Sequence, residues 1–323
     1  MTYDAELHQL YIGVGNGSPW NSYVRSPEGG DNLYLSSIVA LNPDNGEYIW
    51  HYQTTPGERW DYTATQHMVL ADLPINGETR QVIMQAPKNG FFYVIDRTNG
   101  EFISAEPYAK VNWASHIDPD TGRPVMTDVA NYRDEPQFTL PSMVGAHNWH
   151  PMAYHPEHQL MYIPTIEQGF EFKANDEFAN EGTLHTGVAM SMGRADPLLF
   201  KAVQKATHIG SIVAWDPVAQ TERWRVDFDK PWSMSLLATA GNLLFQGSHD
   251  GWLKAYRADT GELVWQSLRQ IAAMARPITF PVVGEQYFAI MAGGGGFMGM
   301  MGADSVQHTA SKGRVLAFKI GGA

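Results

Sequence analysis

Cysteine is absent from the 323 residues, which excludes a disulfide, a thiolate metal site and a covalently attached c-type haem within this chain. Long apolar runs are absent too: nothing approaches the roughly 20 residues that a membrane-spanning helix requires. Basic residues are scarce, with 22 Lys and Arg against 34 Asp and Glu. A nucleic-acid partner calls for a basic surface that releases counterions, so that class is set aside. The opening "MTYDAELHQL" carries two acids where the apolar part of a leader would sit, so no signal peptide is read there. Helical periodicity is sparse. "DPLLFKAVQKA" at 196–206 is the best helical candidate, and 167–210 reads as a long loop or insertion within one domain spanning 1–323. With 44% hydrophobic residues, the chain is rich enough in apolar side chains to bury a sizeable core.

What is present is a repeat. "IVALNPDNGEYIWHY" (38–52), "YVIDRTNGEFISAE" (93–106), "IVAWDPVAQTERWRV" (212–226) and "LKAYRADTGELVWQS" (253–267) each read as strand, polar turn and strand. Period-two alternation around Asx and Gly turns predicts β-hairpins. Trp50, Trp224 and Trp265 recur at one place after the turn, with Gly46, Thr221 and Gly261 taken as the residues that mark it. A large aromatic at a fixed post-turn position predicts docking between neighbouring units. A second repeat, "YDAELHQLYIG" (3–13) and "YHPEHQLMYIP" (154–164), matches at Tyr, Glu, Tyr and Ile. "GRVLAFKI" (313–320) reads as a final strand of the same kind. Many short strands in this rhythm predict an all-β propeller or sandwich, and the recurrent Trp favours the propeller.

Several stretches could carry chemistry. "GVGNGSPWN" (13–21) packs three glycines, an Asn and a Trp where one turn residue would serve. Glycines allow close backbone approach, and Asn16 can offer a carbonyl oxygen to a cation; a longer loop with Trp20 in the core is the plain alternative. "ERWDYTATQ" (58–66) sets Asp61 between Trp60 and Tyr62, where desolvation would raise its proton affinity and suit a base. A turn Asp or a paired acid is the competing reading. Lys88 and Asn89 sit just before a strand in "APKNGFFYVID". The histidines at 147, 150, 155 and 158 are interrupted by Pro156 and do not share one helix, which disfavours a zinc-protease pair. "AGGGGFMGMMG" (292–302) lacks the Lys-Ser/Thr of a phosphate loop and reads as close packing or a flexible loop.

Taken together, "GNGSPWN…GGDNLYLSSIVALNPDNGEYIWHYQTTPGERWDY", "PKNGFFYVIDRTNGEF", "GAHNWHPMAYHPEHQLMYIP" and "LATAGNLLFQGSHDGWLKAYRADTGELVW" resemble the pyrroloquinoline quinone (PQQ)-dependent alcohol dehydrogenases, nearly end to end. The resemblance implies an eight-bladed propeller with tryptophan-docking motifs, of which about four to five antiparallel blades, a partial open propeller, fall here. It implies that Asn16 ligates calcium, that Asp61 is the catalytic base and a calcium ligand, that Lys88 bonds the reactive edge of PQQ, and that Asn148 contacts the cofactor. "WSMSL" (232–236) matches, loosely, a segment whose backbone approaches the quinone. Thr63 stands where lanthanide-using relatives carry a second Asp, which favours calcium. A small alcohol substrate, a cytochrome c or haem domain outside this chain as electron acceptor, and a periplasmic location are implied as well. The family's earlier calcium-binding Glu, adjacent-cysteine disulfide and floor Trp are not found here. The chain is therefore expected to be the C-terminal half of such an enzyme, inactive alone. The competing expectations are a non-catalytic propeller scaffold and a PQQ-dependent sugar or polyol dehydrogenase.

Overall fold

The computed structural model describes residues 1–177, 186–189, 210–229, 235–248, 250–269, 272–293 and 313–319. The helical candidate at 196–206, the glycine-rich run beyond 293 and residues 232–234 lie outside them. The chain divides into two compact units, Met1–Trp149 with Thr165–Ile209 and Asp216–Thr221, and His150–Pro164 with Gly210–Trp215 and Glu222–Ala323.

The first unit holds two antiparallel four-stranded meanders. Blade one is β1 (Thr2–Asp4), β2 (Gln9–Gly13), β3 (Ser37–Leu41) and β4 (Tyr48–Gln53). Blade two is β5 (Met68–Ile75), β6 (Glu78–Gln85), β7 (Phe91–Asp96) and β8 (Phe102–Pro107). The only α-helix among the described residues, α1 (Ser22–Arg25), lies between β2 and β3 and is capped by the Asn21 side chain. Two small pairings follow: β9 (Ala114–Ile117) with β10 (Pro124–Met126), and β11 (Gln137–Thr139) with a later strand, β14.

The remaining strands complete the sheets. Blade three is β12 (Ala153–His155), β13 (Leu160–Ile166), β15 (Gly210–Asp216) and β16 (Thr221–Phe228), with β14 (Phe170–Phe172) given to β11. In the second unit, blade four is β17 (Ser235–Thr239), β18 (Leu243–Gly247), β19 (Trp252–Arg257) and β20 (Leu263–Leu268). A three-stranded sheet of β21 (Ile278–Val282), β22 (Glu285–Ala292) and β23 (Arg314–Lys319) follows. All four repeated hairpins fall on the last two strands of a blade. The fold is all-β, built of propeller blades.

The turns form for local reasons. Asn42 and Asn45, and Asp96 and Asn99, accept backbone N–H bonds two residues on, which closes Asx turns. Gly46, Gly100 and Gly261 take φ of +74°, +79° and +76°. In the third copy the left-handed residue is Gln220, at φ +52°, so Gln220 rather than Thr221 corresponds to the glycines.

The two sequence repeats meet at one joint. The Trp50 indole on β4 lies against Gly100 of blade two and donates to the Arg97 carbonyl at 3.2 Å. The Tyr11 hydroxyl on β2 donates to the same carbonyl at 3.0 Å. In blade three, Trp224 lies against Gly261 and donates to the Ala258 carbonyl at 3.1 Å, and Tyr162 donates to it at 2.8 Å. Each of these two interfaces thus satisfies one carbonyl with two aromatic donors. Trp265, the third of the series, is 40% exposed and lies edge-on to Phe318. A methyl group on residue 100 would come 2.7 Å from the Trp50 ring, at a left-handed φ. Gly100→Ala is expected to cost about 1–3 kcal/mol, measured as a lower urea midpoint at unchanged slope.

An ion cluster around the buried Arg97–Asp4 pair reinforces the first joint. Arg97, on the blade-two turn, pairs with Asp4 at 2.7 Å and with Glu6 at 2.6 Å from the β1–β2 turn, and with Asp72 at 3.1 Å.

Candidate active site

The stretch after β2 runs beside the stretch after β4. Gly13 is needed because a Cβ there would meet the Ala64 carbonyl oxygen at 2.1 Å, and Gly17 because a Cβ would lie 2.5 Å from the Arg25 guanidinium. Gly15 faces open space. Ala64 donates its N–H to the Val14 carbonyl at 3.1 Å, which fixes the register of the two stretches. Trp20 is partly buried against the unit's core, so the loop reading and the close-approach reading both apply.

Asp61 sits between the fully buried Trp60 and Tyr62, at φ +70°. For a residue with a Cβ that conformation is uncommon and mildly strained, and Asp tolerates it better than most. Its Oδ2 accepts from Lys88 Nζ at 3.0 Å, and Lys88 also donates to the Met143 carbonyl at 3.0 Å. The Lys88 side chain is 9% exposed and that of Asp61 21%. Desolvation raises the proton affinity of Asp61, and the Lys88 ammonium works against that rise. The environment therefore gives a carboxylate that is less acidic than usual and open on one side.

Lys88 is held by a rigid surround. Asn89 donates to the Thr54 carbonyl and to Tyr93, Trp113 donates to the Asn89 carbonyl at 2.9 Å, and Tyr108 donates to the Pro87 carbonyl at 2.7 Å. Gly145, at φ +81°, passes so near the Lys88 stem that a Cβ would clash at 2.4 Å. Ala146 N–H donates to the Lys88 carbonyl at 2.9 Å, and Asn148 follows two residues later, its amide donating to Val144.

Of the four residues singled out in the sequence, Asp61 and Lys88 form a direct pair. Asn148 lies on a segment packed against Lys88, and Asn16 on one that meets Ala64 and Glu58, on either side of Asp61 in the sequence; neither makes a side-chain bond to Asp61 or Lys88. Asn16 donates to the Gly17 carbonyl at 3.0 Å, which leaves its side-chain oxygen for another partner. The histidines serve other ends: His147 Nδ1 bonds the Ala86 carbonyl at 2.6 Å, while His155 and His158 stack with centroids 4.2 Å apart. Among the described residues no group of three or more His, Cys, Asp or Glu could hold a metal.

Sequence reasoning passed over Glu58. Its carboxylate is fully buried, with Oε1 accepting from Trp60 N–H at 2.6 Å and Tyr62 N–H at 2.8 Å. Oε2 makes a long contact, 3.5 Å, to Gly17 N–H. Burial pushes its pKa from 4.5 up to about 7, against the lowering effect of the two backbone donors and Arg25. The signal was an acid three residues before Asp61, which is common in turns and unspecific. A folded carboxyl raised in this way favours folding most below about pH 4.5, and that contribution is lost as pH rises through about 7. Glu58→Gln lacks the ionisation. Its unfolding free energy, measured by urea titration, is expected to gain roughly 3 kcal/mol on the wild type between about pH 4 and about pH 8. An unchanged difference would remove the buried-acid assignment.

A family model described as the glucose/ethanol/alcohol dehydrogenase β-propeller domain, with PQQ, matches residues 1–112 and 201–288. The quinohemoprotein alcohol dehydrogenase ADH IIB of Pseudomonas putida is 49% identical over 100% of this chain and 46% of its own length. The crystal structure of the quinohemoprotein alcohol dehydrogenase of Comamonas testosteroni superposes with a TM-score of 0.92 at 44% identity, covering 100% of this chain and 48% of that one. A europium-containing methanol dehydrogenase gives 0.82 at 30% identity, over 93% of this chain and 51% of that one. The chain spans about half the length of the relatives it matches.

Proposed function

The chain belongs to the PQQ family of glucose, ethanol and alcohol dehydrogenase β-propeller domains, and from this premise we propose that it carries the base and the cofactor-facing cation of an alcohol oxidation. The observation that carries the reading is the Asp61–Lys88 pair at 3.0 Å, with the Asn148 segment packed against Lys88. The donor set suits calcium and PQQ. Calcium is a hard cation that takes six to eight oxygens, and Asn16 and Asp61 each retain a side-chain oxygen beyond the bonds described. Two oxygens are a share of such a set, to which the cofactor would add others.

Asn16 and Asp61 would hold the metal, while Lys88 and Asn148 would hold the quinone. When bound, PQQ supplies a two-electron acceptor for the hydride of the carbinol carbon, with calcium as the Lewis acid. Asp61 takes the hydroxyl proton of the alcohol, through the oxygen that Lys88 does not occupy. Lys88 favours the ionised form of Asp61 against desolvation and directs positive charge towards the oxygen on which negative charge grows. The fully buried Trp60, Tyr62 and Trp113 stack beside this pair, with centroids 5.1 to 5.7 Å apart, and exclude water from beneath it.

The relatives named above are alcohol dehydrogenases and quinohemoproteins, which supports an alcohol substrate and a haem as the next electron acceptor. No helix among the described residues is long and apolar enough to cross a membrane; a periplasmic site of action is part of the proposal. In the full-length holoenzyme with PQQ and calcium, dye-linked oxidation of a primary alcohol is expected, and Lys88→Met is expected to lower kcat by roughly 10²–10³-fold. Turnover unaffected by that change would overturn the reading.

A further inference from the structure

We propose that Glu58 is a positioning residue that fixes the backbone of Asp61 and ties it to the Asn16 loop, an inference that rests on the alcohol-oxidation reading only for its catalytic consequence. Two N–H groups, those of Trp60 and Tyr62, point at one oxygen, Glu58 Oε1, at 2.6 and 2.8 Å. The residue between them is Asp61, in the left-handed region at φ +70°. Backbone donors arranged in this alternating way form a nest that binds an acceptor oxygen, and here the acceptor is a side-chain carboxyl from three residues upstream. The same carboxylate faces Gly17 N–H at 3.5 Å. Arg25 completes the tie: it donates to the Glu58 carbonyl at 2.6 Å, and its guanidinium packs where a Cβ on Gly17 would stand.

The geometry assigns the strain and its restraint to different residues. A left-handed φ is strained for a residue with a Cβ, so Asp61 would relax if its flanking amides were released. Relaxation would swing the carboxylate off Lys88 Nζ. Asn16 is one residue from the Gly17 amide and would lose its register with Asp61 in the same event. Glu58 touches neither substrate nor cofactor in this scheme. Its whole effect passes through the residues it holds.

The experiment compares Glu58→Ala and Glu58→Gln with wild type and with Val82→Ala, a core truncation on β6 remote from the nest. Amide hydrogen exchange is read on peptides covering 58–64 and 14–20, without cofactor, and kcat and KM are read on the holoenzyme. Glu58→Ala is expected to speed exchange in both peptides, and to lower kcat at least tenfold with KM within about threefold. Glu58→Gln keeps an acceptor oxygen for both amides and is expected to restore protection and to return kcat to within about fivefold. Val82→Ala lowers the melting temperature without touching either reading. The proposal is overturned if Glu58→Ala leaves exchange in 58–64 unchanged, or if Gln fails as badly as Ala. If the wild-type holoenzyme oxidises no alcohol, the reaction reading falls, and the exchange contrast still decides whether Glu58 is the restraint.

Discussion

Asp61→Asn is expected to reduce kcat for alcohol oxidation roughly 10²–10⁴-fold, the range a positioned general base contributes. Asparagine keeps the size and one acceptor oxygen, so Lys88 retains a hydrogen bond there and a second one to the Met143 carbonyl. The fold should therefore survive, checked by circular dichroism and a cooperative urea transition. The pH profile sharpens the test. The active form is the ionised carboxylate, and desolvation raises its pKa while Lys88 opposes the rise. In the wild type, kcat/KM should climb with pH through one ionisation, which a calcium ion held by the same carboxylate shifts downward. In the Asn variant the residual rate should lack that limb. A variant that keeps near-normal turnover would remove Asp61 from the base role.

The second large effect is structural. Arg97→Met should cost about 3–5 kcal/mol, because it leaves a buried charge without its partner. Arg97 is 6% exposed and faces Asp4, which is 3% exposed; Glu6 and Asp72 sit at the rim and contribute little. Two features tie the loss to Asp4. The penalty should barely change with salt, since a buried pair is weakly screened. Removing the stranded acid as well, with Asp4→Asn, should recover part of the loss. A purely additive double variant would show that the two side chains do not act as a pair.

Much of this architecture was legible because its determinants are local. Alternation and Asx-Gly turns are written within some fifteen residues, so the four hairpins were placed from sequence, and a fixed post-turn Trp announced a docking contact. The partner of that Trp was not legible. The carbonyls of Arg97 and Ala258 carry no side-chain signature, and Tyr11 and Tyr162 reach them from strands that the sequence showed only as a second, separate repeat. Asp61 stood out through its aromatic neighbours, and Lys88 through its place before a strand. Their pairing needed the turn geometry of Gly145 and the anchoring of Asn89. Glu58 stayed hidden for a different reason. Its role lies in which backbone donors face it, and that is set by the left-handed φ of another residue.

The shared-carbonyl joint has a consequence for how such a chain can lengthen. Each joint has a plug, the Tyr and Trp of one blade, and a socket, the carbonyl and glycine on the turn of the next. Plug and socket are encoded within a two-blade segment, Tyr11 and Trp50 with Arg97 and Gly100, and again Tyr162 and Trp224 with Ala258 and Gly261. A tandem copying of that segment would deliver both halves of a working joint at once, with no compensating substitution required. Chemistry need not be copied with it. In the second pair the joint's contacts are made by Tyr162, Trp224, Ala258 and Gly261, none of which stands at the place of Asn16.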